Sequence, residues 1–213
     1  MKLYNYFRSS ASYRVRIALA LKNLPYDYVS VHLARGDHQL PEFAQLVADP
    51  LVPMLELDDG ERLTQSMAIL EYLEEVQPQP ALLPADALGR ARVRAMMQSI
   101  ACEIHPLNNL RVLKYLVKEM GVDEAHKNRW YAHWVRQGLE AFEQQLRAGP
   151  GGAFCYGDQP TMADCLLVPQ LFNAQRFNVP LDGLPLVQGV WDACMALDAF
   201  SQTQPSACPD AEA

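Results

Sequence analysis

A proline-punctuated segment, QPQPALLP at residues 77–84, divides the chain between two different hydrophobic patterns. Before it, short alternating or β-branched runs are interspersed with amphipathic helical segments, whereas the pattern beyond it is helical almost throughout. Interspersed strands and helices are typical of a small α/β layer, and a series of helices is typical of an all-α domain. With 213 residues, the chain is long enough for two small domains. The sequence therefore predicts an α/β domain over residues 1–80 and an all-helical domain over residues 87–213.

The predicted elements follow from periodicity and from turn and capping residues. Strands are expected at residues 2–6, 26–33, 54–57 and 62–64, with a hairpin turn at DDG, residues 58–60, between the last two. Helices are expected at residues 10–22, 41–46, 66–76, 87–119, 123–147, 161–177 and 184–198. Thr161 and Asp164 form a capping box, and Pro169 should kink the helix that they open unless packing compensates. The polar tail, residues 201–213, is expected to fray.

Composition narrows the possible partners. The formal net charge is -7 and there is no run rich in lysine or arginine, which argues against nucleic acid and anionic membranes but not against a small anionic substrate. No apolar run approaches the length that crosses a bilayer, and the chain begins in a strand pattern rather than a signal peptide. Five cysteines without a CxxC pair indicate reduced thiols and a cytoplasmic protein. The histidines form no metal-ligand pattern, so no metal is predicted.

The first predicted strand turns into the first helix through Arg8, Ser9 and Ser10. A strand that enters a helix through serines presents hydroxyls and free backbone N–H groups at one point, which favours an anion. Arg8 adds a positive charge beside that point. An ordinary helix cap explains these residues equally well when the segment is considered alone.

Two further junctions have the same ambiguity. Val52-Pro53 precedes the third strand, where a cis bond would turn the Val52 backbone outward to pair with an extended peptide, and a trans proline would simply begin a strand. Ser66 follows Gln65 at the start of a helix, where it is either a plain cap or a carboxylate ligand.

Taken together, these features resemble the glutathione transferase superfamily, and especially its zeta class, which includes the maleylacetoacetate and maleylpyruvate isomerases. The matching segments span nearly the whole chain: FRSSASYRVRIALALK (7–22), LVPMLELDDG (51–60), LTQSMAILEYLEE (63–75), ACEIHPLNNLRVLKYL (101–116) and GDQPTMADCLLVPQ (157–170). The paired serines and the IHPLNN segment are the class-specific parts. The resemblance implies an α/β N-terminal thioredoxin-like domain that binds glutathione and an all-α C-terminal domain that binds substrate.

The resemblance also implies that both domains contact the cofactor, glutathione. The sulfur is expected near Ser9, Ser10 and the backbone of Ala11. The other implied positions are a histidine for the glycyl end, a backbone-pairing residue with its proline, two γ-glutamyl ligands and two residues of the helical domain: His38, Val52, Pro53, Gln65, Ser66, His105 and Asn109.

The sequence departs from the family pattern at two places. Many zeta members have cysteine after the paired serines, where this chain has Ala11, so Ser9 or Ser10 is left to assist the glutathione thiol. The segment before Val52 reads LVADP, residues 46–50, without the usual Asn-Pro, which is expected to alter loop packing more than chemistry.

The implied activity is cis–trans isomerisation of a maleyl-type diacid in aromatic compound catabolism. Adding a thiolate to the double bond makes it single and allows rotation, and this chemistry needs cations for the substrate carboxylate and the enolate. Arg8, Arg111 and Arg176 are the candidate cations, with Arg8 and Arg176 also assigned to catalysis beside Ser9 and Ser10. Arg14 and Arg16 are assigned to structure, since an early helix turn can aim them at the domain interface.

Other functions remain open at this point. The favoured substrate is maleylacetoacetate, with maleylpyruvate of the gentisate pathway as the nearest alternative. A general glutathione transferase acting on α-haloacids and a non-catalytic glutathione-binding or ligand-carrying protein are the others, and the candidate arginines favour anionic substrates over both. The resemblance also implies a homodimer.

Overall fold

The computed structural model describes residues 1–212 and divides the chain into two units. The first unit contains residues 1–82 together with the chain from Met195 onward, and the second contains Leu83–Cys194. The last segment of the predicted helical domain, residues 195–212, therefore packs with the first unit.

The first unit is built on a mixed sheet of four strands in the order β2-β1-β3-β4. The strands are β1 (Lys2–Asn5), β2 (Asp27–Ser30), β3 (Met54–Glu56) and β4 (Arg62–Thr64). β1 is parallel to β2 and antiparallel to β3, and β3 forms a hairpin with β4. Gly60 in the predicted DDG turn has a φ of 89°, a conformation that glycine adopts without steric cost. The paired residues Leu3 and Leu55 are fully buried, which fixes the inner face of the sheet.

Three helices accompany this sheet: α1 (Ser10–Leu21), α2 (Pro41–Ala44) and α3 (Ser66–Val76). Ile17 and Leu19 of α1 and Leu70 of α3 are fully buried, as expected for helices that bury one apolar face against the core. The α/β character of this part of the chain and its element order are as the sequence predicts.

The C-terminal segment is ordered against the first unit, so the prediction of a frayed tail was wrong. It forms the short helix α9 (Asp198–Ser201) and a 3₁₀ turn at Pro205–Ala207. Phe200 is fully buried, Cys208 is 8% exposed, and the Tyr13 hydroxyl donates to the Phe200 carbonyl at 2.8 Å. A few apolar residues therefore anchor a segment whose overall composition is polar and small.

The second unit is helical: α4 (Ala87–Gln98), α5 (Leu110–Lys118), α6 (Glu124–Ala148), α7 (Met162–Arg176) and α8 (Pro185–Met195), whose last residue falls beyond the unit boundary. The single helix predicted over residues 87–119 is wrong, because a π-helical turn at Ser99–Ile104 and a 3₁₀ turn at Pro106–Asn108 interrupt it. Pro106 has no N–H and cannot continue the helical hydrogen bonding. By contrast, α7 continues through Pro169, which is buried like most of that helix.

Within residues 1–212, no helix combines the length and the apolar character that a membrane crossing requires.

Candidate active site

The register of the sheet brings four candidate segments to the same end of the strands. Tyr4 of β1 pairs with Met54 of β3, and Met54 pairs with Thr64 of β4. The chain therefore leaves β1 toward Arg8, enters β3 from Pro53 and leaves β4 toward Gln65 at the same end of the sheet. β2 also ends there, since its last residue pairs with the last residue of β1, and it continues toward His38.

Ser9 is the N-cap of α1. Its backbone is extended, with φ of -71° and ψ of 115°, and its hydroxyl oxygen accepts a hydrogen bond from Ser12 N at 3.2 Å. Since that oxygen is already an acceptor, its hydrogen can be donated elsewhere. Ser9 is partly buried, whereas Ser10, the first helical residue, is 7% exposed and Ala11 is partly buried. The first turn contains no acidic side chain, so the positive end of the helix dipole is not neutralised by the helix itself.

A buried arginine holds the loop that leads to Ser9. Arg16 is 1% exposed, and its guanidinium donates to the Phe7 carbonyl at 3.1 Å and to the Asn5 side chain at 3.0 Å. Arg8 follows directly and is exposed, with its guanidinium 4.8 Å from the centre of the Phe7 ring. Arg16 has a structural role, as the sequence predicts, but the partners found for it belong to the first unit, whereas the prediction aimed it at the domain interface.

The Val52-Pro53 bond is cis, and Val52 is 8% exposed. Val52 belongs to a core cluster that also contains Met54 and Phe7, the residue before Arg8. His38 lies in a 3₁₀ turn at Asp37–Gln39 and is partly buried.

Gln65 has an unusual backbone, with φ of 67° and ψ of 111°. A non-glycine residue in such a sparsely populated region costs about 1–3 kcal/mol, and such residues are concentrated at functional sites. Gln65 is exposed, and no side-chain hydrogen bond caps the helix that follows it.

Ser66 accepts a hydrogen bond from Arg14, a residue that the sequence assigned to structure without indicating this partner. Arg14 is 3% exposed, and its Nη1 donates to the Ser66 hydroxyl oxygen at 3.2 Å. An arginine can only donate, so the Ser66 hydrogen remains available for a carboxylate. The guanidinium also places a positive charge behind the N-terminus of α3. The sequence predicts a structural role for Arg14, but nothing in it pairs Arg14 with Ser66.

In the second unit, the IHPLNN segment brings His105 and Asn109 together. The Asn109 amide nitrogen lies 3.3 Å from His105 Nε2, and its side-chain oxygen accepts from Arg111 N at 3.1 Å, which caps α5. Both residues are partly buried, and Arg111 is exposed at the first turn of that helix.

Arg176 is the last residue of α7 and is exposed, with its guanidinium 4.7 Å from the centre of the Phe177 ring. The polar stripe predicted on this helix is graded rather than uniform, because Gln170 is 3% exposed, Asn173 is partly buried and only Arg176 is fully at the surface.

Cys102 is exposed and the other four cysteines are buried, and three of the buried thiols are poor nucleophiles. Burial raises the pKa of Cys155, Cys194 and Cys208 above the usual range of a thiol. A thiol with a raised pKa stays protonated at neutral pH and reacts slowly. The raised pKa values of these three thiols and the alanine at position 11 are consistent with an external thiol as the reactive sulfur.

Comparisons with known proteins identify the family of this chain. Residues 1–75 match the glutathione S-transferase N-terminal domain, and residues 124–196 match the glutathione S-transferase C-terminal domain. The chain is 50% identical to a maleylpyruvate isomerase from a Ralstonia species, over 99% of both chains. It is also 50% identical to a maleylacetoacetate isomerase from Pseudomonas aeruginosa, over the full length of both.

A solved holo structure of a maleylpyruvate isomerase, described as a bacterial glutathione S-transferase of the zeta class, superposes on the whole chain with a TM-score of 0.97 and 49% identity. The chain belongs to the glutathione S-transferase family, and within it to the zeta-class group of maleylacetoacetate and maleylpyruvate isomerases.

Proposed function

We propose that this protein is a glutathione-dependent cis–trans isomerase of a maleyl-type diacid. The observation that carries the proposal is the full-length 50% identity to isomerases of both maleylacetoacetate and maleylpyruvate. The geometry at this end of the sheet supports the proposal. A serine-capped helix, the Val52 backbone and the Gln65-Ser66 junction meet there, as a bound tripeptide requires.

The residues at this end of the sheet fit glutathione by their chemistry. The strained Gln65 backbone, the uncapped start of α3 and the available Ser66 hydrogen suit the γ-glutamyl carboxylate, with Arg14 as the cation behind them. Related structures have been solved with glutathione bound, including a maleylacetoacetate isomerase from Anaeromyxobacter dehalogenans that is 42% identical, with a TM-score of 0.89.

Bound glutathione would supply the thiolate nucleophile that isomerisation by reversible addition requires. The Ser9 hydroxyl would donate a hydrogen bond to this sulfur, and the N-terminus of α1 would lower the free energy of its charged form. Ser10 and the Ala11 backbone complete the sulfur end. The Val52 backbone would hold the cysteinyl backbone, and His38 would hold the glycyl end. His105 and Asn109 contribute from the helical domain.

The cations Arg8, Arg111 and Arg176 bind the substrate carboxylates, and Arg8 and Arg176 also stabilise the negative charge that develops on the conjugated carbonyl oxygen. An arginine suits this role because its planar fork meets a carboxylate through two hydrogen bonds. Related isomerases bind such anions: one structure contains malonate with glutathione, and another contains dicarboxyethyl glutathione with citrate.

Maleylacetoacetate is the proposed substrate and maleylpyruvate is the second candidate, since the chain is 50% identical to an isomerase of each. The deciding experiment measures kcat/KM on both substrates side by side, with and without glutathione. The faster glutathione-dependent reaction identifies the substrate. Equal rates without glutathione would rule out thiol addition, and conjugation of α-haloacids without isomerisation would indicate a general transferase. Glutathione binding without turnover of any of these compounds would indicate a carrier.

The substrate clamp has its own test. Arg8→Ala and Arg176→Ala should each lower kcat/KM by an amount corresponding to about 2–4 kcal/mol, because each loses a charge-assisted pair. Arg62→Ala is a matched control, since Arg62 lies on β4 and pairs with Glu56 at 3.0 Å. If both variants stay within a few-fold of wild type, these arginines do not bind the carboxylates.

We also propose a cytoplasmic homodimer. Apolar side chains exposed on the helical unit support self-association, including Leu88 at 62% and Tyr115 at 59%. Light scattering coupled to size-exclusion chromatography measures the oligomeric state, and a monomer at micromolar concentration would contradict the proposal.

A further inference from the structure

The C-terminal segment contacts the loop that leads to the proposed sulfur site at Ser9. Its carboxylate Asp210 accepts hydrogen bonds from the Ser30 hydroxyl at 2.8 Å, from the Tyr28 hydroxyl, and from Phe7 N at 3.4 Å. Ser30 and Tyr28 lie two residues apart on β2, where side chains at this spacing share one face. Two donors on a strand therefore hold the carboxylate, and the third bond extends to the loop that precedes Arg8.

The Tyr28 hydroxyl on β2 is a constant hydrogen-bond donor to Asp210. Burial raises the pKa of the Tyr28 phenol, and the hydrogen bond to Asp210 raises it further, so the hydroxyl stays protonated and donates across the physiological pH range. A charged acceptor strengthens each of these bonds relative to a neutral one.

The same loop peptide is held from the other side. Phe7 donates its N–H to Asp210, while its carbonyl accepts from Arg16 at 3.1 Å. Arg16 Nε in turn donates to the Thr203 carbonyl of the C-terminal segment at 2.9 Å. Both polar groups of Phe7 are thus tied, directly or through one side chain, to residues 203–210.

We infer that Asp210 is a positioning residue, which sets the placement of Arg8 and Ser9 by holding the Phe7 peptide against β2. Phe7 is next to Arg8 and two residues before the helix cap, so a shift of its peptide moves both groups. This inference rests on the proposed function, since it assigns Asp210 to the same sulfur site. The segments proposed to anchor glutathione, at Val52, Gln65 and Ser66, make no hydrogen bond with Asp210 among the bonds found for residues 1–212.

The inference predicts a particular split in the kinetics. Asp210→Ala should lower kcat about ten- to a hundredfold, because small misplacements of reacting groups are that costly. The KM for glutathione should stay within about threefold, since the anchoring residues are untouched. General loosening of the fold would instead weaken glutathione binding as well, because Val52 and Cys208 share one core cluster.

The experiment compares Asp210→Ala, Asp210→Asn and Tyr28→Phe, with Asp198→Asn as the control. Asp198 is an exposed acid in the same C-terminal stretch, so its variant should match wild type. Asp210→Asn keeps one acceptor oxygen and should retain more kcat than alanine, and Tyr28→Phe should cause a smaller loss in the same direction. All measurements are made below the melting temperature of each variant. If Asp210→Ala does not fold, the kinetics of Asp210→Asn and Tyr28→Phe decide whether Asp210 is a positioning residue.

A second readout separates this inference from the proposed function. The ultraviolet absorbance of the thiolate in the glutathione complex, followed against pH, reports ionisation without any isomerase substrate. Asp210→Ala should shift this ionisation to higher pH, because Ser9 is displaced from the sulfur, even if the wild-type enzyme proves to isomerise neither maleyl compound. Unchanged kcat and unchanged thiol ionisation in Asp210→Ala, or an equal loss of glutathione affinity and kcat, would overturn the inference.

Discussion

Two helix N-termini, one in each unit, start from similar residues and are completed differently. At α7, the N-cap Thr161 is followed three residues later by Asp164, whose fully buried carboxylate accepts from Thr161 N at 2.7 Å and from Cys155 N at 2.8 Å. At α1, the N-cap Ser9 is followed three residues later by Ser12, which is neutral and adds no charge. The start of α7 is closed, in the sense that its own carboxylate neutralises the helix dipole. The start of α1 is open, because no acidic side chain in its first turn does so.

The difference indicates which helix start can receive an external anion. A carboxylate in the first turn of a helix neutralises the positive end of its dipole and consumes the free donors there. Asp164 therefore serves the stability of the second unit, whereas the α1 start keeps its positive potential, as the proposed thiolate site requires. The α3 start resembles α1, since its first turn also contains no acidic side chain.

The largest effect is expected at the closed helix start. Asp164→Ala should lower the free energy of unfolding by about 3–5 kcal/mol, because it leaves the buried N–H groups of Thr161 and Cys155 without acceptors. Denaturant unfolding measures the loss. The kcat of the protein that remains folded should match wild type, so a specific loss of kcat in Asp164→Ala would show that this cap also takes part in catalysis.

The same carboxyl makes stability depend on pH. Burial raises the pKa of Asp164 above its usual value, and the bonds from Cys155 and Thr161 oppose this rise. The folded chain then holds the proton to higher pH than the unfolded chain, in which an aspartate titrates near about 3.9. Stability therefore falls as pH rises between those two values. Asp164→Asn cannot titrate and should lose this component, which unfolding midpoints measured from about pH 4 upward would detect.

At the start of α1, the loss of activity should be larger than the loss of stability. Ser9→Ala should reduce stability by only about 1 kcal/mol, the usual contribution of a cap. It should reduce kcat/KM by about ten- to a hundredfold, because the sulfur loses a hydrogen bond to its charged form. Ser10→Ala is the matched comparison, and a larger loss of activity there than in Ser9→Ala would reverse the assignment of the two serines.

Local signals account for what the sequence predicted well. The DDG hairpin, the Thr161–Asp164 capping box and the serine-rich start of α1 depend on residues within a few positions of one another. The broken helix after residue 98 had a local signal in Pro106, but the helical pattern on either side outweighed it.

Contacts between distant residues account for what the sequence did not predict. Arg14 reaches Ser66 across 52 positions, and Asp210 reaches Ser30 across 180. No periodicity or spacing encodes such pairs, because they depend on which faces of the folded elements meet. The order of the C-terminal segment and the cation behind Ser66 became visible only in the structure.

A smaller effect is expected at the start of α3, whose first turn, like that of α1, contains no acidic side chain. Gln65→Gly should leave stability unchanged or raise it by about 1 kcal/mol, since glycine adopts a φ of 67° without strain. Glutathione affinity should nevertheless fall by about tenfold, as expected when one charge-assisted hydrogen bond is lost. Asn23→Gly is the control, because asparagine accepts positive φ more readily, and calorimetry and thermal melts give both quantities. A clear loss of stability in Gln65→Gly would show that the backbone is not strained.

The smallest effect is expected at Ser12, the position in α1 that corresponds to Asp164 in α7. Ser12 is fully buried, and its hydroxyl oxygen has no hydrogen-bond partner among residues 1–212. Ser12→Ala removes that unsatisfied group and keeps the N–H that donates to Ser9, so stability should rise by up to about 1 kcal/mol. The kcat should stay within about twofold of wild type, because the Ser9 hydroxyl retains its geometry. A large loss of kcat would instead mean that Ser12, and not the cap alone, keeps this helix start ready for an anion.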